Sequence, residues 1–94
     1  MTTIPSDAPL HHEALALDRL ALGRLATIAA IDWSMLAKGD ASRLKQFGFD
    51  EGVKVEALHT GPFGKDPLAV RVGRMTVAIR RRHAAAVRVI PHAA

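Results

Sequence analysis

Alternation of apolar and polar residues is the clearest pattern in the chain, and it recurs in three short segments. Val53–Ala57, Leu68–Val72 and Met75–Arg80 each place apolar side chains at every second position. This period of two is typical of strands with one face in a core and the other in solvent. Gly73 and Arg74 alone separate the last two segments. The spacing predicts a tight hairpin there, because glycine readily adopts the positive φ that such turns require.

Two further strands and a helical turn complete the β-rich pattern. Arg24–Ile31 is a short apolar run bounded by Gly23 and Asp32, which favours a strand, although its alanines leave a helix as the alternative. Val87–Val89 predicts a last, brief strand. The alanine-rich segment between the third alternating strand and this one, Arg81–Ala86, fits a short helical turn.

One short helix is predicted over about residues 40–47. Asp40 is a residue type that commonly caps a helix N-terminus. Leu44 and Phe47 are three residues apart and therefore share one face of the helix. Gly48 suits the left-handed conformation that ends many helices. Further on, Pro62–Pro67 contains two prolines and a glycine, and it predicts a turn that leads into the next strand.

Five strands and one short helix indicate a mostly β, small, five-stranded, partly open barrel, because a flat sheet of this size would leave long edges exposed. A chain of 94 residues forms one domain. We expect a flexible tail at residues 1–15, the domain at 16–90 and a C-terminal tail at 91–94. The expected core residues are Ala26, Ile28, Ile31, Leu44, Phe47, Phe49, Val53, Val55, Leu68, Val70, Val72, Val77, Ile79, Val87 and Val89.

Composition narrows the class of protein. Hydrophobic residues make up 49% of the chain, which is enough for a core and too much for a disordered protein. The absence of cysteine excludes disulfides and thiolate metal sites. The N-terminus lacks the basic and apolar regions of a signal peptide, and no run approaches the roughly 20 apolar residues of a membrane span. We therefore expect a soluble, intracellular protein.

The positive charge is concentrated in the last third of the chain. The net charge is +4, and the residues after position 65 include six arginines but a single acidic residue, Asp66. Such a basic patch suits phosphate, an anionic membrane or an acidic protein, whereas a merely solvated strand face is the alternative. The residues of the predicted patch are Arg71, Arg74, Arg80, Arg81, Arg82 and Arg88.

Metal binding has one candidate site, at His11, His12 and Glu13. Three adjacent residues supply too few ligands for a closed structural site, so we expect only adventitious binding of a divalent metal and no native cofactor. The remaining histidines are scattered without ligand spacing. No nucleophile has a histidine and carboxylate at recognisable spacing, and no phosphate-binding lysine motif is present, so we do not expect an enzyme.

Several short motifs follow one another along the chain in an order that resembles that of a known family. They are Leu17-Asp18-Arg19-Leu20 with Gly23, Ala26-Thr27-Ile28, Arg43-Leu44 with Phe47-Gly48-Phe49 and Gly52, Asp66-Pro67-Leu68-Ala69-Val70, Val77-Ala78-Ile79-Arg80, and Ala84 with Val87-Arg88-Val89. In this order and spacing, over about residues 16 to 90, the chain resembles the FeoA family, the small cytosolic proteins of bacterial ferrous-iron transport.

The resemblance implies an SH3-like barrel with an inserted helix, and a role beside FeoB, a membrane permease that carries a cytosolic GTP-binding domain. It implies a cytoplasmic protein held at the inner membrane by its partner, with the arginines facing an anionic membrane surface or an acidic surface of the GTP-binding domain. Similar domains are fused to iron- and manganese-dependent repressors.

The expected contact surface for that partner is the helix with its flanking loops. It comprises Arg43, Lys45 and Gln46, together with the Pro62–Gly64 turn. Phe63 is the expected anchor, because an apolar side chain in a polar turn is often a docking residue. The alternative is that Phe63 folds back onto the open end of the barrel.

RNA binding is the alternative function. Small barrels bind RNA, and an isoelectric point near 10.4 fits a nucleic-acid footprint. However, such sites usually place stacking aromatic residues among the basic ones, and no aromatic residue follows Phe63. A nucleic-acid partner is therefore less expected than a protein partner.

Overall fold

A computed structural model describes residues 14–93, which form a six-stranded antiparallel sheet with two α-helices. Single turns of 3-10 helix occupy Leu17–Arg19 and Trp33–Met35. The strands are β1 (Leu15–Ala16), β2 (Leu25–Ile31), β3 (Lys54–Phe63), β4 (Asp66–Val72), β5 (Met75–Ile79) and β6 (Val87–Pro91), and the helices are α1 (Lys38–Gln46) and α2 (Arg81–Ala84).

The sheet curls into a partly open barrel with the strand order β1-β6-β2-β3-β4-β5. Within residues 14–93, β1 and β5 are its two unjoined edges, so the predicted mostly β, partly open architecture is confirmed. The five predicted strands correspond to β2–β6. The sixth is β1, in which Leu15 pairs with Val89 and Ala16 with Arg88. Leu15 therefore belongs to the sheet and not to the tail expected at residues 1–15, and a strand of two residues is too short for alternation to reveal it.

An aliphatic core fills the inside of the curled sheet, and Leu44 of α1 and Phe49 reach into it. Most of the predicted core residues are buried. Ile31, Phe47 and Val53 are the exceptions, because they lie at the rim and pack against the core while remaining partly exposed. Buried residues that the sequence pattern did not identify are Leu17, Leu20, Ala57, Ala69, Ala84 and Ala86.

Helix α1 ends as predicted but begins earlier. Gly48 has φ +96°, the left-handed conformation expected where the helix ends. The prediction that Asp40 caps the N-terminus is wrong, because Ala37 occupies that position and no side chain caps it. Asp40 lies in the first turn, where a carboxylate is favoured by the helix dipole.

The connection between β3 and β4 is tighter than predicted. The turn consists of Gly64 and Lys65 alone. Pro62 and Phe63 end β3, and Pro67 is the second residue of β4. The register between the strands is irregular from Thr60 to Phe63, so Pro62 lies where the ladder is interrupted. Its missing N–H therefore removes no regular ladder hydrogen bond, which explains how a proline is accommodated inside a strand.

Candidate functional site

The tip of the β3–β4 hairpin presents an aromatic side chain to solvent. Phe63 is 82% exposed, more than any other large apolar side chain among the described residues. It therefore does not fold back onto the end of the barrel. Burial of such a side chain in a partner stabilises a complex by roughly 1.5–3 kcal/mol.

The surroundings of this tip combine apolar and cationic groups. A depression of about 230 Å³ beside the turn is lined by Leu22 and Lys65, among other residues. Leu22 is 54% exposed, and Lys65 follows Phe63 through Gly64. We refer to Leu22, Phe63 and Lys65 as the tip surface. An exposed ring at the hairpin tip, with an exposed apolar side chain and an ammonium group around the depression next to the turn, fits a protein surface with apolar and acidic groups.

The structure places the helix residues of the predicted contact surface in different environments. Arg43 lines a cleft between α1 and β5. Lys45, about 200° further around the helix, has its Nζ 4.8 Å from the centre of the Trp33 ring. Gln46 is exposed to solvent. Arg43 and Lys45 therefore cannot contribute to one flat contact, and Lys45 already has a cation–π partner.

The cleft between α1 and the end of β5 has a volume of about 290 Å³ and a cationic rim. Arg43 and Arg80 are exposed and make no side-chain hydrogen bond or ion pair with a described residue. His83 Nε2 lies 3.2 Å from Asp40 Oδ2, which ties α2 to α1 across the cleft. Apolar side chains complete the lining, namely Leu44, Pro67, Ala78 and Ile79.

The six arginines of the predicted basic patch do not have equal roles. Arg71 NH1 donates to Glu56 Oε1 at 2.8 Å on the outer face of the sheet. Arg74, Arg80, Arg82 and Arg88 are exposed on four different segments, and within residues 14–93 none of their side chains has a polar partner. Of the six arginines of the predicted patch, these four are the ones that a partner can reach without breaking an internal contact.

Arg81 is a structural residue. Its NH2 donates to the Asp18 backbone carbonyl at 2.7 Å, and its backbone N–H donates to Asp66 Oδ1 at 3.1 Å. It therefore joins α2 to the 3-10 turn that follows β1 and to the start of β4. Nothing in the local sequence indicates this role, because Arg81 stands between two residues of the same type.

The described residues contain no group of three or more His, Asp or Glu side chains able to hold a metal ion. His92 Nε2 lies 2.7 Å from Thr27 Oγ1, and His83 pairs with Asp40. The candidate ligands His11, His12 and Glu13 lie outside the described residues.

Comparison with known proteins identifies the relatives of this chain. A family model described as the FeoA domain matches residues 15–91. The chain is 33% identical to a Stenotrophomonas maltophilia FeoA solved with zinc, covering 78% of this chain and 86% of that one with a TM-score of 0.66. That protein is described as a prokaryotic SH3 domain protein, so the SH3-like fold expected from the sequence is confirmed.

Other solved structures share the fold. FeoA from Chlorobium tepidum is 26% identical, covering 84% of this chain and 71% of that one, with a TM-score of 0.73. A manganese-dependent transcriptional repressor is 19% identical, covering 84% of this chain and 42% of that one with the same TM-score, and this likeness concerns the fold alone. No curated protein matches the chain. Within residues 14–93, no helix has the length and apolar character needed to cross a membrane.

Proposed function

Because the chain belongs to the FeoA family, we propose that it is a non-enzymatic accessory protein of bacterial ferrous-iron uptake. It acts by docking on the cytosolic part of a FeoB-type transporter that carries a GTP-binding domain. The family match over residues 15–91 carries this proposal, since it assigns nearly the whole chain to proteins of ferrous-iron transport. The protein works in the cytoplasm and reaches the inner membrane through this partner.

The tip surface is the proposed anchor of the contact. Phe63 offers a large apolar group that is already free of internal packing, Lys65 belongs to the turn that follows it, and Leu22 lines the depression beside that turn together with Lys65. Arg43 supplies a second, charged contact from the rim of the cleft between α1 and β5. An acidic surface on the transporter complements these cations, and the exposed arginines add attraction to anionic lipid headgroups near the docking point. The role requires no cofactor.

Co-purification with the FeoB of the same organism tests the proposal. The wild-type protein is expected to be captured. Phe63→Ala is expected to reduce the affinity roughly 30-fold, the effect of losing an anchor worth about 2 kcal/mol. Arg43→Glu is expected to weaken capture as well, because it places a negative charge opposite an acidic surface. Capture is compared without nucleotide, with GDP and with a non-hydrolysable GTP analogue.

Matched variants separate docking from general surface effects. Leu25→Ala removes another exposed apolar side chain, 47% exposed on β2, and Arg19→Glu reverses another exposed arginine, which ends the Leu17–Arg19 turn and is not part of the predicted basic patch. Both are expected to be captured like the wild type. If the wild-type protein binds in none of the three nucleotide conditions, the transporter is rejected as the partner. RNA binding would then be measured across a salt series, where a steep loss of affinity with salt indicates phosphate contacts.

A further inference from the structure

β5 is an edge strand that has a paired strand on only one side of its backbone. Among residues 14–93 only β4 pairs with it, and its backbone makes no hydrogen bond to a described residue outside that ladder. Met75–Ile79 contains no charged residue and no proline, and its register with β4 shows no bulge. Edge strands are usually protected by a charged residue, a proline or a bulge, because an unprotected edge is a template for pairing with another strand.

The side chains of β5 show what an added strand would cover. Val77 and Ile79 are buried on the inner face, whereas Met75, at the alternate position before them, is 47% exposed. Thr76 and Ala78 are exposed on the outer face. An added strand with apolar side chains on its inner face would bury Met75. Because β5 has no charged side chain, the added strand would need no charge between its own two ends.

Cations bracket this uncharged edge. Arg74 immediately precedes β5 and Arg80 immediately follows it, and six residues of extended chain place them about 20 Å apart. Arg43 of α1 lines the same cleft as Ala78 and Arg80, so the C-terminal end of the edge has two guanidinium groups. None of the three side chains is paired with a described residue. Asp40 is the one carboxylate in the cleft, and it contacts His83.

We infer that the β5 edge binds an extended segment of a partner protein as an additional strand. The segment carries carboxylates at two positions six residues apart, which meet Arg74 at one end and Arg80 with Arg43 at the other. Between them it carries apolar side chains at alternate positions, which pack toward Met75 and Val77. Main-chain hydrogen bonds supply the affinity, and the two charged ends select the partner and fix its register.

Charge disfavours a second copy of this chain as the occupant. Antiparallel pairing of two β5 strands centred on Val77 would place Arg74 of each copy opposite Arg80 of the other. Two pairs of like charges directly across a ladder are destabilising. The same two arginines that attract an acidic strand therefore oppose self-pairing, so the edge favours a partner of opposite charge over another copy.

Titration of the full-length protein with a synthetic peptide tests this inference. The probe is acetyl-Glu-Val-Thr-Val-Thr-Val-Glu-amide, whose carboxylates are six residues apart. In amide correlation NMR spectra we expect shifts at residues 74–80 and at the Arg43 side chain, with slowed hydrogen exchange at alternate amides of β5. The same peptide with glutamine at both ends is expected to bind about three- to tenfold more weakly, the effect of losing two exposed ion pairs.

Paired variants decide whether the arginines at the edge are responsible. Arg74→Gln with Arg80→Gln is expected to reduce the preference for the glutamate peptide to the part that Arg43 still supplies, and adding Arg43→Gln is expected to abolish it. Arg82→Gln with Arg88→Gln removes the same charge elsewhere and is expected to preserve it. Arg74→Glu with Arg80→Glu is expected to prefer a lysine-ended peptide. The inference fails if no shifts occur at millimolar peptide, if they lie outside β5, or if both double glutamine variants behave alike. Because the probe is a peptide, none of these outcomes depends on FeoB binding.

Discussion

Gly61 occupies the closest approach between β3 and β4. A Cβ atom at this position would lie 2.6 Å from the Asp66 carbonyl oxygen and 2.6 Å from Cδ of Pro67. We expect Gly61→Ala to lower the free energy of unfolding by about 1–3 kcal/mol, because the added methyl group must push the strands apart. Urea unfolding followed by circular dichroism measures the change.

Gly39→Ala is the matched control for Gly61→Ala. Gly39 lies in α1 with an ordinary φ, and a Cβ atom added there would meet no atom within 4 Å. Its replacement is expected to raise the free energy of unfolding by about 0.5–1 kcal/mol, the usual gain of alanine over glycine in a helix. Equal destabilisation by the two substitutions would contradict the close approach at Gly61.

The need for glycine at position 61 could not be predicted from the sequence. Gly61 stands next to Pro62, a pair of residues that usually indicates a turn. The structure instead continues the strand through both residues with an irregular register. The atoms that exclude a side chain belong to the next strand, so only the pairing of β3 with β4 reveals the constraint. Phe63 is a different case from Gly61. The sequence itself shows an apolar residue in a polar segment, which is the signal from which an exposed anchor was expected.

Helix α2 is a single turn whose position depends on Arg81. We expect Arg81→Met to lower the free energy of unfolding by about 1–2 kcal/mol, since it removes a charge-assisted hydrogen bond to the Asp18 carbonyl from a partly buried site. Arg82→Met, at the exposed neighbouring position, is expected to change it by less than about 0.5 kcal/mol. Thermal melts of both variants provide the comparison, and a similar loss in both would remove the structural role assigned to Arg81.

The secondary structure elements were predictable where the pattern is local. Alternation identified the first four residues of β3, most of β4 and all of β5, because each of these segments has one face in the core and one in solvent. The start of α1 was mispredicted, since Asp40 is a good capping residue that the chain uses inside the first turn to contact His83. That contact joins residues far apart in the chain, so it leaves no trace in the local sequence.

The cleft and the open edge belong to the whole molecule, and the sequence did not reveal either. Arg43 and Arg80 come together only because α1 packs beside the end of β5. The basic patch that the sequence suggested is distributed over separate elements, with Arg71 and Arg81 engaged internally. The family could be identified from the sequence alone, because the order of the short motifs over about residues 16 to 90 does not depend on the fold, and the FeoA family model matches residues 15–91.

The arrangement of charge at the β5 edge leads to a prediction about self-association. Arg74 and Arg80 oppose pairing of two β5 strands, so their removal should leave a neutral, β-prone edge with nothing to prevent it. We expect Arg74→Gln with Arg80→Gln to form dimers at high protein concentration, whereas the wild-type protein stays monomeric. Sedimentation velocity over a concentration series measures this.

The control is Arg82→Gln with Arg88→Gln, which lowers the net charge by the same amount but leaves the β5 edge unchanged. It distinguishes pairing through β5 from a general loss of electrostatic repulsion between molecules. We expect this variant to remain monomeric, because its edge still carries both bracketing arginines. Amide hydrogen exchange adds a second readout, since a dimer formed through β5 protects alternate amides of Met75–Ile79. Dimerisation of both variants to the same extent, or dimers without protection in β5, would show that the bracketing arginines do not guard this edge.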